Sequence, residues 1–444
     1  MTTLASEIPT TGGFTEDAFD RFLKGRDEPG WLVDRRREAF ERFRGFPWPN
    51  ARDEEWRRTD IRGLKLDAFA PPVAADQPDA TAVAAFDDLW NTLGEHYATG
   101  LLHVDGTPAR EADTSKLGGV VLVDLARAAR DHPEILDRYL LTQAVTASDD
   151  LFAALHAAFW AGGTLLYVPK GVRLDAPLFN LVGLTRPNGV DMNHTLVVLE
   201  DGAEATLVRE TASRRPDDTS PALHAGALEV FLGQGAKLRL VNIQNWDEST
   251  WHFSRERAII GRDAAIQWTV GGLGSRLAKV NQEVVLAGTG ADAQVNGVMF
   301  TSGKQHLAYF TRQDHVAPHT TSDLLYKGGL QGRSRVVWKG MIRVEKDAQR
   351  TDAYQKNDNL VLSESARADS IPGLEIEAND VRCTHGATAG RVDDDMIFYA
   401  AARGIPRETA VRLIVEGFFA DVYDRITLDP VRETLREAVA RKLT

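Results

Sequence analysis

A single cysteine, Cys383, stands in 444 residues, so the chain cannot close a disulfide on itself. No apolar run of about 18 residues occurs, and no transmembrane helix is expected. The stretch Met1 to Gly13 lacks a basic start followed by an apolar segment, which disfavours secretion. There is no basic excess either: the formal net charge is −12 with both signs mixed along the chain, whereas a nucleic-acid surface needs clustered Lys and Arg. Several enzyme motifs are missing. Gly303-Lys304 is followed by Gln305 and has no glycine upstream at P-loop spacing, so ATP hydrolysis by that route is excluded. No G-x-S-x-G, C-x-x-C or H-E-x-x-H pattern occurs, and the run Gly271-Gly-Leu-Gly274 sits between expected strands instead of opening a helix. These absences leave a soluble cytoplasmic protein that binds neither nucleic acid nor membrane.

What is present divides into three parts. Residues 1–163 mix helical patterns at Thr15 to Lys24, Trp31 to Phe43 and Asp53 to Asp67 with a linker at Pro71 to Thr81. A strand at Leu117 to Leu125 and helices at Pro133 to Leu141 and Leu151 to Ala161 follow, giving an α+β region ended by Gly162-Gly163. From Thr164 to Val392 the texture becomes short alternating apolar runs broken by Gly, Asp or Asn. Val197 to Val208 and Val230 to Val241 each read as strand, tight turn, strand, and Ala258 to Ala264 and Val284 to Ala291 repeat the pattern. The turn residues Gly202, Gly235, Asp263 and Gly290 recur at roughly 30-residue intervals, a solenoid period. Gly or Asp suits a corner of positive φ, and the Ala that follows suits its crowded inside. A mainly β fold, a parallel β-helix, fits best, with a β-sandwich as the runner-up. Residues 393–444 revert to helix: Asp393 to Asp395 can cap a helix over Met396 to Ala402, Gly404 closes it, and Pro406 starts the next. That second helix carries Val411, Leu413, Phe418, Phe419 and Val422, more apolar surface than a small hairpin can bury. Pro430 to Leu443 alternates Arg and Glu and reads as a solvated face.

The rare residue types gather at Asp380-Val-Arg-Cys383-Thr-His385-Gly-Ala-Thr388. In an extended strand residues two apart share a face, so Cys383 and His385 project together as half of a metal site or, more blandly, as packing. A four-ligand iron–sulfur cluster needs more donors than one cysteine supplies, so any cluster would be shared with another chain. His315 and His319, four apart, flank Pro318, which argues against a helix presenting both. Trp56 reads as a packed aromatic flanked by exposed charge.

The motifs His319-Thr-Thr-Ser-Asp-Leu-Leu-Tyr-Lys-Gly328, Lys339-Gly340, Gln349-Arg-Thr-Asp-Ala-Tyr-Gln355, Ala368-Asp-Ser-Ile-Pro-Gly-Leu-Glu-Ile-Glu377 and Cys383-Thr-His-Gly-Ala-Thr388, in this order, resemble the SufB and SufD family of the SUF iron–sulfur assembly system. Phe398-Tyr399, Ala402 to Ile405 and the N-terminal Glu54-Glu-Trp-Arg-Arg-Thr-Asp60 extend the match. Between the two branches, the low cysteine content and the Trp-containing signature are similar to SufD, whereas SufB is expected to be longer and to supply cluster-building cysteines. The resemblance implies a right-handed parallel β-helix with an N-terminal helical region and a C-terminal helical hairpin. It also implies a non-catalytic scaffold in a complex of SufB, SufD and the ATPase SufC, with no cluster held stably by the isolated chain. A transient iron–sulfur cluster would form at a site shared with SufB, with His385 as the metal donor and Cys383 as its neighbour. SufC would be received by Met396 to Ile426 through Phe418, Phe419 and Val422, and the chain alone could pair with a second copy of itself. Two other readings are a SufB paralogue and a β-helix enzyme acting on polysaccharides. The latter would need a clustered acidic, calcium-binding or Arg-based face, and no such cluster is obvious.

Overall fold

The computed structural model describes residues 13–72, 79–94, 97–216 and 219–443. Much of the expected linker Pro71 to Thr81 and nearly all of Met1 to Gly13 lie outside them. Two 10-stranded sheets face each other, and the chain alternates between them turn after turn. One carries Leu178–Leu184, Glu204–Ser213, Lys237–Asn245, Ala265–Gly272, Asp292–Thr301, Thr321–Leu330, Asp352–Val361 and Arg382–Arg391. The other carries Asn193–Leu199, Ala222–Leu232, Thr250–Ile260, Leu277–Leu286, His306–His315, Arg335–Val344 and Arg367–Ile376. Each strand pairs in parallel with its counterpart one turn away, as in Leu240 opposite both Leu207 and Trp268. Parallel pairing between successive turns overturns the β-sandwich and makes a β-solenoid. Antiparallel pairs occur where Thr107–Arg110 meets Thr99–Val104 and where Val121–Asp124 meets Gly162–Val168, the strands that end the two sheets at the N-terminal side.

The corners follow from backbone sterics. Gly202, Gly235, Asp263 and Gly290 all take positive φ, between 53° and 76°, where a Cβ is strained and glycine is not. The alanines that follow, Ala203, Ala236, Ala264 and Ala291, are buried at the inside of these corners. Between corners, alternate side chains enter the lumen, where Leu207, Leu240, Trp268 and Val295 meet Val230, Ala258, Val284 and Leu307 in one apolar core.

The outer faces are clad by helices. On one, Glu16–Lys24, Gly30–Gly45 and Leu151–Phe159 set Phe19, Phe40 and Phe159 together, and Phe152 stacks on Phe253 at 3.6 Å between ring centroids. Trp56 is buried there against Phe152 and Phe253, as a packed aromatic. No α-helix forms over Asp53 to Asp67, only turns and the 3₁₀ turn Leu66–Ala68. Asp53 accepts from the Asn50 backbone N–H and Asp60 from that of Arg62, local bonds that compete with a helix. On the other face lie Arg407–Tyr423 and Asp429–Lys442. The final helix is no solvated face: Val431, Leu435, Ala438 and Val439 are buried on the solenoid. Gly271 makes this possible, since a Cβ there would stand 2.7 Å from Leu435 Cδ2. The glycine-rich run is thus a packing device.

Candidate functional site

Successive turns cover one another until the last, which no strand among the described residues covers. Arg382–Arg391 and Arg367–Ile376 end their respective sheets, so each offers an open hydrogen-bonding edge, and most residues of both are exposed or half-buried. Cys383 and His385 lie on the first of these strands, opposite Ala353 and Gln355. Cys383 is half-buried beside Val344, Ala353 and Ala378, while His385 is exposed. Burial pushes the Cys383 thiol above its ordinary value, and the Asp352 carboxylate adds to that shift. Among the described residues no three His, Cys, Asp or Glu side chains converge to hold a metal ion. Cys383 and His385 stand on the last strand of their sheet, two residues apart.

The lumen changes character as it reaches this end. Along one column of directly paired positions, Leu207, Leu240, Trp268, Val295 and Leu324 give way to Gln355 and then His385. The next column brings Asn357, bonded to Ser370 Oγ at 2.6 Å and to Asn359 Nδ2 at 2.7 Å. Gln355 donates across the lumen to the Gly373 carbonyl at 2.9 Å. A Cβ at Gly340 would lie 2.5 Å from Gln355 Oε1, so this glycine leaves room for the cross-lumen bond. Sequence reasoning quoted these residues only as motif members. The polar residues Gln355, Asn357 and Asn359, all buried on one phase of their strand, were the available signal.

The other expected residues separate. His315 is buried and bonded through both ring nitrogens to Thr320 and Ser322, whereas His319 sits at a corner with φ 59°. Phe419 and Val422 were expected to face a partner; both are fully buried on the solenoid's outer face, Phe419 against Phe300. Phe418 is half-buried, its carbonyl accepting from Lys327 Nζ at 2.7 Å with the ammonium also over its ring. The apolar surplus of this helix is spent on its own chain. Leu413 on this helix is exposed, as are Met396, Phe398 and Tyr399 on the preceding helix Asp394–Ala401, with Phe398 76 % exposed.

A second buried polar group escaped the sequence altogether, because its members lie dozens of residues apart. His156 Nδ1 bonds the Ala225 carbonyl at 2.8 Å, His156 Nε2 bonds His194 Nδ1 at 2.9 Å, and His194 Nε2 bonds Glu229 Oε2 at 3.0 Å. Glu229 also accepts from the Leu141 and Val145 backbone N–H groups. Burial pushes the Glu229 carboxyl up to about 8 and His194 down to about 3. A neutral carboxyl then donates to His194, His194 to His156, and His156 to Ala225, so every partner is used without a charge.

The chain is a two-sheet parallel solenoid whose last turn, carrying Cys383 and His385, ends both sheets. The family model for the SufBD core domain of SUF-system iron–sulfur cluster assembly matches residues 183–418, and the model for the SufBD N-terminal region matches residues 25–179. The chain belongs to this family of iron–sulfur cluster assembly proteins. It is 28 % identical over 428 residues, 95 % of this chain and 96 % of the relative, to the iron–sulfur cluster assembly protein SufD of Bacillus subtilis. It is 27 % identical over 421 residues, 91 % of this chain and 88 % of the relative, to an iron–sulfur cluster assembly SufBD family protein of Staphylococcus haemolyticus.

Proposed function

We propose that this chain is a non-catalytic scaffold subunit that pairs with SufB through its open solenoid end and forms there a transient iron–sulfur cluster as cargo. The supporting observation is the uncapped last turn. Two parallel edge strands with unsatisfied backbone groups, and with Leu374 and Ile376 exposed, form an aggregation-prone template unless a partner covers them. His385, on that edge, can present an imidazole nitrogen across the junction, and Cys383 stands two residues away on the same face. Since this chain contributes two donors, SufB supplies the others. SufC is received by the exposed face of Met396, Phe398, Tyr399 and Leu413 on the C-terminal hairpin, in place of Phe419 and Val422.

Co-expression with SufB and SufC, followed by absorption spectroscopy of the purified complex, tests this reading. His385→Ala should leave assembly largely intact, because one exposed side chain is a small part of an interface, while lowering the cluster absorbance on the complex. Clusters forming at the wild-type rate, or a complex that fails to assemble, would remove His385 from the site. ATP turnover by the pure isolated chain would contradict the scaffold role.

A further inference from the structure

The buried relay from Glu229 to Ala225 has a proton count that its geometry fixes. Its far end is a carbonyl oxygen, which can only accept, so His156 Nδ1 must carry a hydrogen to make the 2.8 Å bond to Ala225. A neutral His156 then has a bare Nε2, which takes a hydrogen from His194 Nδ1 at 2.9 Å, and a neutral His194 takes one from Glu229 Oε2 at 3.0 Å. Three bonds thus use three protons. Without one of them, two lone pairs must face each other at one of these contacts, where all three side chains are fully buried.

Where the gap settles follows from the partners. An ionised Glu229 keeps the Leu141 and Val145 N–H groups at 2.7 and 3.0 Å and draws a hydrogen onto His194 Nε2. Bonds to a charged carboxylate are the strongest in the chain, so they are the last to be given up. Both imidazoles then carry their hydrogen on Nε2, and His156 Nδ1 meets the Ala225 oxygen bare. That contact joins the middle of the helix Leu151–Phe159, every residue of which is buried, to the strand Ala222–Leu232. Phe152 and Phe159 of the same helix hold the N-terminal aromatic cluster. The charged and titratable groups facing the relay are Arg257 and Asp149 at Glu229, Arg209 and Arg36 at His194, and His224 and Asp191 at His156. Burial outweighs them, keeping both imidazoles uncharged and delaying the proton loss of the carboxyl to about 8.

We infer that the relay is a proton switch: when Glu229 loses its hydrogen at alkaline pH, both imidazoles change tautomer together, and the contact that opens is the one at Ala225, loosening the helix Leu151–Phe159 and the N-terminal layer packed on it. The group that titrates and the bond that breaks lie at opposite ends of the chain of rings.

Nitrogen NMR on the full-length chain carrying 15N-histidine, followed from about pH 6.5 to about 9.5, tests the switch. The coupling between nitrogens across their shared hydrogen bond identifies the His156 and His194 pair. Near pH 6.5 both should carry hydrogen on Nδ1, and above about pH 8.5 both should carry it on Nε2, with one shared midpoint. Glu229→Gln, whose amide donates at every pH, should hold both on Nδ1 throughout. An imidazolium or an Nε2 hydrogen replacing that on Nδ1 near pH 6.5, a wild-type pair still on Nδ1 at the top of the range, or hydrogen exchange in 151–159 unchanged across the midpoint would each overturn the proposal. So would a Glu229→Gln pair that changes tautomer at the wild-type pH. If that variant does not fold, the wild-type titration decides alone: a joint change of both rings supports the switch and its absence refutes it.

Discussion

Replacing Glu229 by glutamine separates two contributions of a buried carboxyl that are usually inseparable. Glutamine keeps a donor for His194 Nε2 but offers one acceptor where the carboxyl serves both the Leu141 and Val145 N–H groups. Losing that acceptor should cost about 1 kcal/mol at any pH. The pH-dependent part comes from ionisation. Glu229 titrates at about 8 when folded and near 4.5 when not, so between these values the unfolded chain has lost a proton that the folded chain keeps. Its pKa is raised on folding, so stability is present at low pH and is lost as pH rises towards 8. The slope is about 1.4 kcal/mol per pH unit, giving roughly 1.5 kcal/mol between pH 6.5 and 8 once the flattening near 8 is included. His194 and His156, held uncharged in the fold but half protonated at pH 6.5 when exposed, oppose this by about 0.4 kcal/mol each, and comparison with Glu229→Gln cancels their share. Hydrogen exchange of peptides covering 141–159 and 222–232, corrected for its intrinsic pH dependence, reads the local opening free energy. Wild-type protection should fall about ten-fold relative to Glu229→Gln across the window. Parallel profiles would mean that Glu229 is ionised in the fold and that the neutral relay does not exist.

Other substitutions test the cladding and the corners. Phe419→Ala should cost about 3–5 kcal/mol and lower the melting temperature, because it empties a fully packed site, whereas Phe398→Ser should leave melting unchanged and weaken SufC capture in a pull-down. Gly271→Val should drive the final helix off the sheet, seen as new tryptic cleavage at Arg436 and Arg441, because its side chain would occupy the place of Leu435. Gly235→Ala should lose about 1 kcal/mol in a denaturation series from backbone strain alone, since a Cβ there meets no atom within 4 Å; Gly235→Asn should lose less. Below pH 6.5 the protein should destabilise steeply. His194, His306 and His315 are held at about 3, 4 and 4 by burial, so they bind protons only on unfolding, and circular dichroism melts between pH 7 and 4 would show it.

The solenoid was legible because its corners impose a local rule. Positive φ at Gly202, Gly235, Asp263 and Gly290 restricts residue type, and the following alanines mark the inside of the bend, so the period is written in the sequence. The open end was legible only as a concentration of rare residues at Cys383 and His385. That no strand follows Arg382–Arg391 in its sheet is a property of the pairing and not of any residue in it. The cladding misled for a related reason. An apolar stripe such as Phe418, Phe419 and Val422 states that a surface is covered, not what covers it, and the long reach to Phe300 is invisible in a window of twenty residues. The Arg and Glu of the last helix hid a second stripe, Val431, Leu435 and Val439, whose spacing fits a buried helical face. Glu229, His194 and His156 carried no local signature at all.

The one-dimensional stacking of turns also sets how stability is distributed along the molecule. Each turn is stabilised mainly by the turns next to it, so an interior turn has two neighbours and the terminal one has a single neighbour. The C-terminal helices staple the middle of the stack, through Lys327 to Asp421 and Arg425 to Asp323, and leave the final strands without such a brace. The turn bearing Cys383 and His385 is therefore where fraying should begin, opening at a fraction of the global free energy while the rest of the stack persists. A second solenoid docked there would give that turn its missing neighbour, converting the softest coil into an interior one and tying the order of the donor residues to the presence of the partner.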